Sequence, residues 1–237
     1  MAFVYNTTVT PSKLELLTSW LPGQSWYLGK GGEPSLTKVG GFRLDDPQGE
    51  VGLEFMVVTD DSGGQRHTYQ VPFSYRGAPL DEAGHALIGT TEHGVLGTRW
   101  VYDGIHDPVL IAQLFALLTG EAEPQSQGLS DTPDFTVTGY FAGTGRPVVI
   151  TPATVTNGPD GTDLLVRTTS GAATPGTPPN GQLTIRVHRV LQDTQGDASD
   201  PAGPSDPAVG HVTANWLLPD GSHARGRFAV VHNAPPE

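Results

Sequence analysis

Leu14, Leu17 and Leu21 fall on one face of a helix, with Trp20 beside them, in the stretch TVTPSKLELLTSWLPG. Thr10 is the expected cap and Pro11 the first helical residue, because the N–H that proline lacks has no partner inside a helix. Pro22 and Gly23 end the helix. Beyond them SLTKVGGFRLDD and EVGLEFMVVTDD read as strands, and DDSGGQ as the turn into RHTYQVPFSYRG. HALIGTTEHGVLGTRWVYDG supplies one or two more. The apolar run in HDPVLIAQLFALLTG predicts a second helix, with Asp107 as cap, Pro108 in first position and Gly120 at the C-terminal cap. Helix, antiparallel strands and helix fit a sheet covered on one face, an α+β arrangement.

The pattern changes after residue 120. GEAEPQSQGLSDTPD is polar and reads as a linker. From there VTGYFAG, PVVITPATVTNG, TDLLVRTTSG, GQLTIRVHRVLQ, HVTANWLLPDG and HARGRFAVVHN are strand candidates, with no clear helix among them. SGAATPGTPPNG and QDTQGDASDPAGPSDPAV have little to bury and are expected as mobile loops. The expected organisation is an α+β module over residues 1–120, a linker over 121–135, and a β-rich domain over 136–237, either a sheet or a small sandwich.

Composition narrows the function. Twenty-five acids against 13 bases leave a formal charge of −12, which repels nucleic-acid phosphates and anionic lipid. The absence of cysteine removes disulfides, thiolate catalysis and Cys-ligated zinc. The N-terminus lacks a basic segment followed by an apolar run, and PVLIAQLFALL is too short to span a bilayer. A cytoplasmic protein with no membrane or nucleic-acid partner is expected.

Candidate chemistry concentrates in EHGVLGTRWVYDGIHDP, which holds Glu92, His93, Arg99, Asp103, His106 and Asp107. The two histidines lie on different elements, and no tight ligand spacing such as H-E-x-x-H is present. Asp107 is explained as a helix cap and Asp103-Gly104 as a turn, so the structural reading outweighs the catalytic one. Arg99, Trp100 and Tyr102 remain candidates to face a partner. LGKGGEP and FAGTGRP set glycines beside a basic residue, but neither matches a phosphate-binding loop, and turn glycines explain both. Asp45-Asp46 and Asp60-Asp61 sit at strand ends and read as turn formers. Trp26, Tyr27 and Trp216 suit either sugar stacking or the core, with the core favoured.

Several motifs then occur in a recognisable order. SWYLGKGGEP, GGFRLDDPQGEVGLEFMVV, YQVPFSYRGAPL and HALIGTTEHGVLGTRWVYDGIHDPVLIAQLFALL resemble the N-terminal cap domain of actinobacterial maltokinases and related aminoglycoside-phosphotransferase-like sugar kinases. Trp26, Tyr27, Gly29 and Lys30 match the start of that cap, while Tyr75–Leu80 and His93–Asp103 match its end. The resemblance covers residues 1–120. It implies a curved antiparallel sheet packed on helix, described as cystatin-like, followed here by the β-rich second half.

A maltokinase transfers the γ-phosphoryl of ATP to maltose, which requires a base Asp, metal-binding Asn and Asp, and a lysine on the phosphates. The sequence contains no HGD-type catalytic loop and no DFE or DFG motif. QLTIRVHRVLQ resembles the strand that carries the family's ATP-contacting lysine, with Arg186 in its place, and arginine is not equivalent there. The second half accordingly reads as a degenerate kinase N-lobe. The resemblance implies a stand-alone, non-catalytic cap-like protein of glycogen or trehalose–maltose metabolism, with a protein partner and a sugar or oligosaccharide as candidate ligand. No catalytic residue, cofactor or metal ligand is assigned. Two other readings stand beside it: a sugar phosphotransferase component completed by another chain, and a carbohydrate-binding module using Trp26, Tyr27 or Trp216. The candidate partner or ligand surface comprises Trp26, Tyr27, Lys30, Arg76, His93, Arg99 and Arg186.

Overall fold

Helix α1 spans Lys13–Trp20 and begins one turn signal later than Thr10 suggests. Ser12 caps it: its Oγ accepts the Glu15 N–H at 3.3 Å while the Glu15 carboxylate accepts the Ser12 N–H at 2.6 Å. This reciprocal box satisfies two otherwise orphaned donors. Thr10 lies instead in a short strand, β1 (Val9–Thr10), paired with Glu92. The structure is a computed structural model that describes residues 7–30, 32–142, 147–170, 180–192 and 208–234. The glycines of FAGTGRP and most of the two Pro- and Gly-rich inserts lie outside the described residues, and so does their expected mobility.

The strands of the first half form where alternation and turn residues place them: β2 (Leu36–Leu44), β3 (Gly52–Asp60), β4 (His67–Arg76), β5 (Leu87–His93) and β6 (Gly97–Asp103). Helix α2 (Pro108–Leu118) follows, with Asp107 Oδ1 accepting the Val109 N–H at 2.9 Å, and Gly120 at φ +74° closing it. The second half is all strand among the described residues: β7 (Gln125–Ser126), β8 (Thr138–Phe141), β9 (Pro147–Asn157), β10 (Gly161–Ser170), β11 (Asn180–His188), β12 (Val190–Leu191), β13 (Gly210–Leu217) and β14 (His223–Asn233).

All pairings are antiparallel, in the order β1-β5-β6-β4-β3-β2-β13-β14-β11-β10-β9, with β12 beside β4, β7 beside β2 and β8 beside β13. The second-half strands therefore continue the first sheet. The crossing from β2 to β13 falls at Gly40, opposite Trp216. A Cβ on Gly40 would stand 3.0 Å from the Trp216 Cβ. Gly41 follows at φ +125°, where a side chain would overlap the Phe55 carbonyl oxygen, so Gly41 requires glycine, while a larger residue at Gly40 would crowd Trp216. Residues 121–135, expected as a linker, supply β7, which pairs with Phe42 and Arg43 of β2.

The two helices cover opposite faces of the sheet, not the single face that the element order suggested. Leu53, Phe55 and Val57 of β3 share a core with Leu110, Leu114 and Leu118 of α2 and with β10, β11, β13 and β14. Met56 and Val58 point the other way, to Leu17, Leu21 and Trp26. A strand buried on both faces loses its alternation and reads as a continuous apolar run, as FMVV does.

β4 has an interrupted neighbour on the side away from β3. It pairs with β6 over Phe73–Arg76 and with β12 at Thr68 and Tyr69, and between them the Gln70 N–H donates to the Arg189 carbonyl at 2.9 Å. Strand N–H groups alternate sides, so position 72 would direct its N–H into the gap that follows. That residue is Pro72, which has none.

Candidate functional site

Two constellations grow out of this frame. The first is a buried joint at the interrupted edge of β4. Arg189 is completely buried and reaches Asp103, at the end of β6, with Nη2 at 2.6 and 2.8 Å from the two carboxylate oxygens. Its Nε donates to the Thr162 hydroxyl at 2.8 Å, and its guanidinium lies 5.1 Å from the Trp26 ring centre. One arginine thus ties β6, β10 and the α1-side core together. Asp107 is equally buried: besides capping α2 it receives both forks of Arg76, each at 2.7 Å. Burial would push its carboxyl up, but the hydrogen bonds and charge of Arg76 hold it below the ordinary carboxylate range.

The second is a cleft of about 740 Å³ on the α1 side, where the β2–β3 turn, the end of β4 and the β5–β6 hairpin meet. Glu54 forms its floor. On β3 it follows the same parity as Met56 and Val58, so it faces α1, where Lys13 pairs with it. Glu54 also accepts from the Tyr75 hydroxyl at 2.9 Å and from Gln127 Nε2 at 2.8 Å. Burial acts to raise this carboxyl. The Lys13 charge and hydrogen bond, the Lys38 charge and the Tyr75 hydroxyl together hold it below 4.5. Burial and the adjacent carboxylate push Tyr75 well above its ordinary 10.

This fixes an acid-side behaviour. A carboxyl depressed in the folded state contributes stability that is present above its unfolded value and is lost as pH falls through the folded one. Urea midpoints should therefore decline below about pH 4.5, and Glu54→Gln should flatten part of that decline. Equal slopes in the two proteins would remove Glu54 from the account.

The rim carries three of the residues expected to meet a ligand. His93 Nδ1 accepts the N–H groups of Val95 and Leu96 at 3.3 and 3.1 Å, so the ring proton resides on Nε2. Burial, then the charges of Arg99 and Lys13, lower its pKa. Arg99 Nη2 donates to the Leu96 carbonyl at 3.0 Å. Arg76 lines the same cleft while holding Asp107. One family model matches the segment that carries this rim. Residues 20–107 match the maltokinase N-terminal cap domain. The match runs from the last residue of α1 to the cap of α2, and so contains β2 to β6 and most of the cleft wall.

The other expected cap residues lie elsewhere. Trp26 is fully buried between Trp20, Tyr69 and Arg189, so it is a core residue and offers no stacking face. Trp216 is buried against Phe228, the core position favoured for it over sugar stacking. Tyr27 is half-buried, its hydroxyl donating to Asp60 at 2.7 Å, and burial with that carboxylate raises it to about 12. Lys30 is exposed beside the β3–β4 turn. Arg186 lies outside the matched cap, on β11, paired with Asp160 and Asp163. His93 and His106 do not meet. His106 Nδ1 lies 3.1 Å from His85 Nε2 instead, and no cluster of three or more potential metal ligands occurs among the described residues. Asp46 and Asp60 act as turn formers: Asp46 accepts the N–H groups of Gln48, Glu50 and Val51, and Asp60 those of Ser35 and Ser62. No helix among the described residues is long and apolar enough to cross a membrane.

The sequence reading missed Lys13, Glu54, Tyr75, Gln127 and Arg189. Glu54 did leave a trace: a carboxylate inside GLEFMVV, a run otherwise apolar, is a buried charge in need of a partner.

Proposed function

We propose that the chain is a non-catalytic binding or regulatory protein of the maltokinase-cap type, acting in the cytoplasm with a maltokinase-like enzyme of glycogen or trehalose–maltose metabolism. The observation that carries this reading is the cap match over residues 20–107 together with the cleft whose rim, Arg76, His93 and Arg99, belongs to the matched segment. The acids of the segment that first suggested catalysis have other work: Asp103 neutralises the buried Arg189, and the buried Asp107 pairs with the half-buried Arg76. Arg186 is occupied by two aspartates, and Trp26 and Trp216 are buried, so the phosphotransferase and sugar-stacking readings have less support.

The test is a reconstitution. The purified chain, mixed with a maltokinase, maltose and Mg-ATP, is expected to co-elute with the enzyme and change its KM for maltose, while turning over no ATP alone. Absence of any complex, or magnesium-dependent turnover by the chain alone that is lost in Arg186→Ala, would overturn the reading.

A further inference from the structure

Two histidines outside the cleft meet at the start of α2. His85 lies in the short helical turn Asp81–Ala86 between β4 and β5, and His106 ends the turn Gly104–His106 that leads into α2. Their chain positions differ by 21, yet His85 Nε2 and His106 Nδ1 stand 3.1 Å apart, with the ring planes at 88°. Burial does not force this encounter. His85 is exposed and His106 only half-buried, so either ring could hydrogen-bond water instead.

Both supports are fixed by packing. Ala83 and Ala86 of the first turn are buried against Tyr102, whose hydroxyl accepts the Leu80 N–H at 2.9 Å. In the second turn Ile105 is fully buried, and the flanking Asp103 and Asp107 are held by Arg189 and Arg76. Two ligands carried on such supports are already near their working geometry before an ion arrives.

An imidazole nitrogen binds zinc at about 2.0–2.1 Å, and two such bonds at an octahedral to tetrahedral angle set their nitrogens about 2.9–3.4 Å apart. The observed 3.1 Å falls inside that window. Magnesium and calcium prefer oxygen ligands and would gain little here. In the neutral pair one facing nitrogen carries the proton of the hydrogen bond. When an ion enters, that proton moves to the other nitrogen of the same ring, and both facing lone pairs turn to the metal. No group of three potential ligands forms among the described residues, so water completes the coordination shell.

We propose that His85 and His106 form a two-imidazole site for a divalent transition ion of the zinc, nickel and copper class. The bound ion clips the β4–β5 connection to the start of α2, beside the Asp103–Arg189 and Asp107–Arg76 pairs. The site goes beyond the maltokinase-partner reading and does not depend on it, since the isolated chain suffices to test it.

The test is titration calorimetry of the full, untagged chain with zinc and nickel chlorides at about pH 7.5, where an ordinary imidazole is mostly neutral. Saturable binding is expected, and the melting midpoint should rise with zinc but not with magnesium. His85→Ala and His106→Ala should each weaken zinc binding about tenfold or more, because even losing a hydrogen-bond partner of a ligand costs that much. His223→Ala, exposed and on β14, should bind as the parent does. Since His85 is exposed, its loss does not put folding at stake. Ring-nitrogen NMR of the parent locates the ion independently: His85 Nε2 and His106 Nδ1 should both shift on zinc addition. The proposal is overturned if neither zinc nor nickel binds saturably, or if magnesium binds as tightly as zinc. It is equally overturned if either single variant keeps the parent's affinity, if His223→Ala loses as much, or if only one of the two nitrogens responds.

Discussion

Arg189→Ala lowers the unfolding free energy by about 3–5 kcal/mol, the cost of removing one partner from a buried pair and leaving the other charge uncompensated. The stranded charge is Asp103, 6 % exposed at its side chain and, among the described residues, without another cation bonded to it. The variant also loses the guanidinium above Trp26 and the donor to Thr162. Urea unfolding followed by tryptophan fluorescence checks it. The double variant Arg189→Met with Asp103→Leu should recover much of the loss, since apolar replacement of a buried pair is often neutral or better. A loss below about 1 kcal/mol in Arg189→Ala would place the joint among weak surface pairs instead.

Asp107→Ala is the second large effect. A helix cap alone is worth about 0.5–2 kcal/mol. Here the same carboxylate is fully buried and takes both forks of Arg76, so the loss should reach about 3–5 kcal/mol. Asp107→Asn separates the two roles, because it retains a side-chain oxygen for the Val109 N–H but not the charge that Arg76 requires. Its stability should fall between those of the parent and Asp107→Ala. Equal stability of Asp107→Asn and the parent would show that the cap is the whole contribution.

Asp107 also shows how far local reasoning reaches. Its capping of α2, Pro108 in first position and Gly120 at the end are all read within fifteen residues, because a helix writes its own start and stop signals. The strands of both halves were legible for the same reason, through alternation and turn residues. Near the N-terminus the same logic placed the cap at Thr10 with Pro11 after it, whereas Ser12 and Glu15 carry the capping box.

What the sequence does not reveal is pairing at a distance. Lys13 finds Glu54 across 41 positions, and Arg189 finds Asp103 across 86. Nothing within a window of ordinary length connects either pair. Trp26 illustrates the ambiguity from the other side: an amphipathic aromatic suits a surface platform or a core, and only Tyr69 and Arg189, brought by other strands, decide for the core. The cleft was half legible. Arg76, His93 and Arg99 were named, but its charged floor depends on the register that turns Glu54 towards α1.

The interrupted edge of β4 bears on how a cap can be combined with other polypeptide. Thr68 and Tyr69 face β12, the Gln70 N–H donates to Arg189, and Pro72 ends the need for partners. Without residues 189–191 that edge would stand open beside an apolar strand, in the manner that invites foreign strands to dock and aggregate. Those few residues act as a shield, and a chain that places this sheet next to a different body has to bring its own.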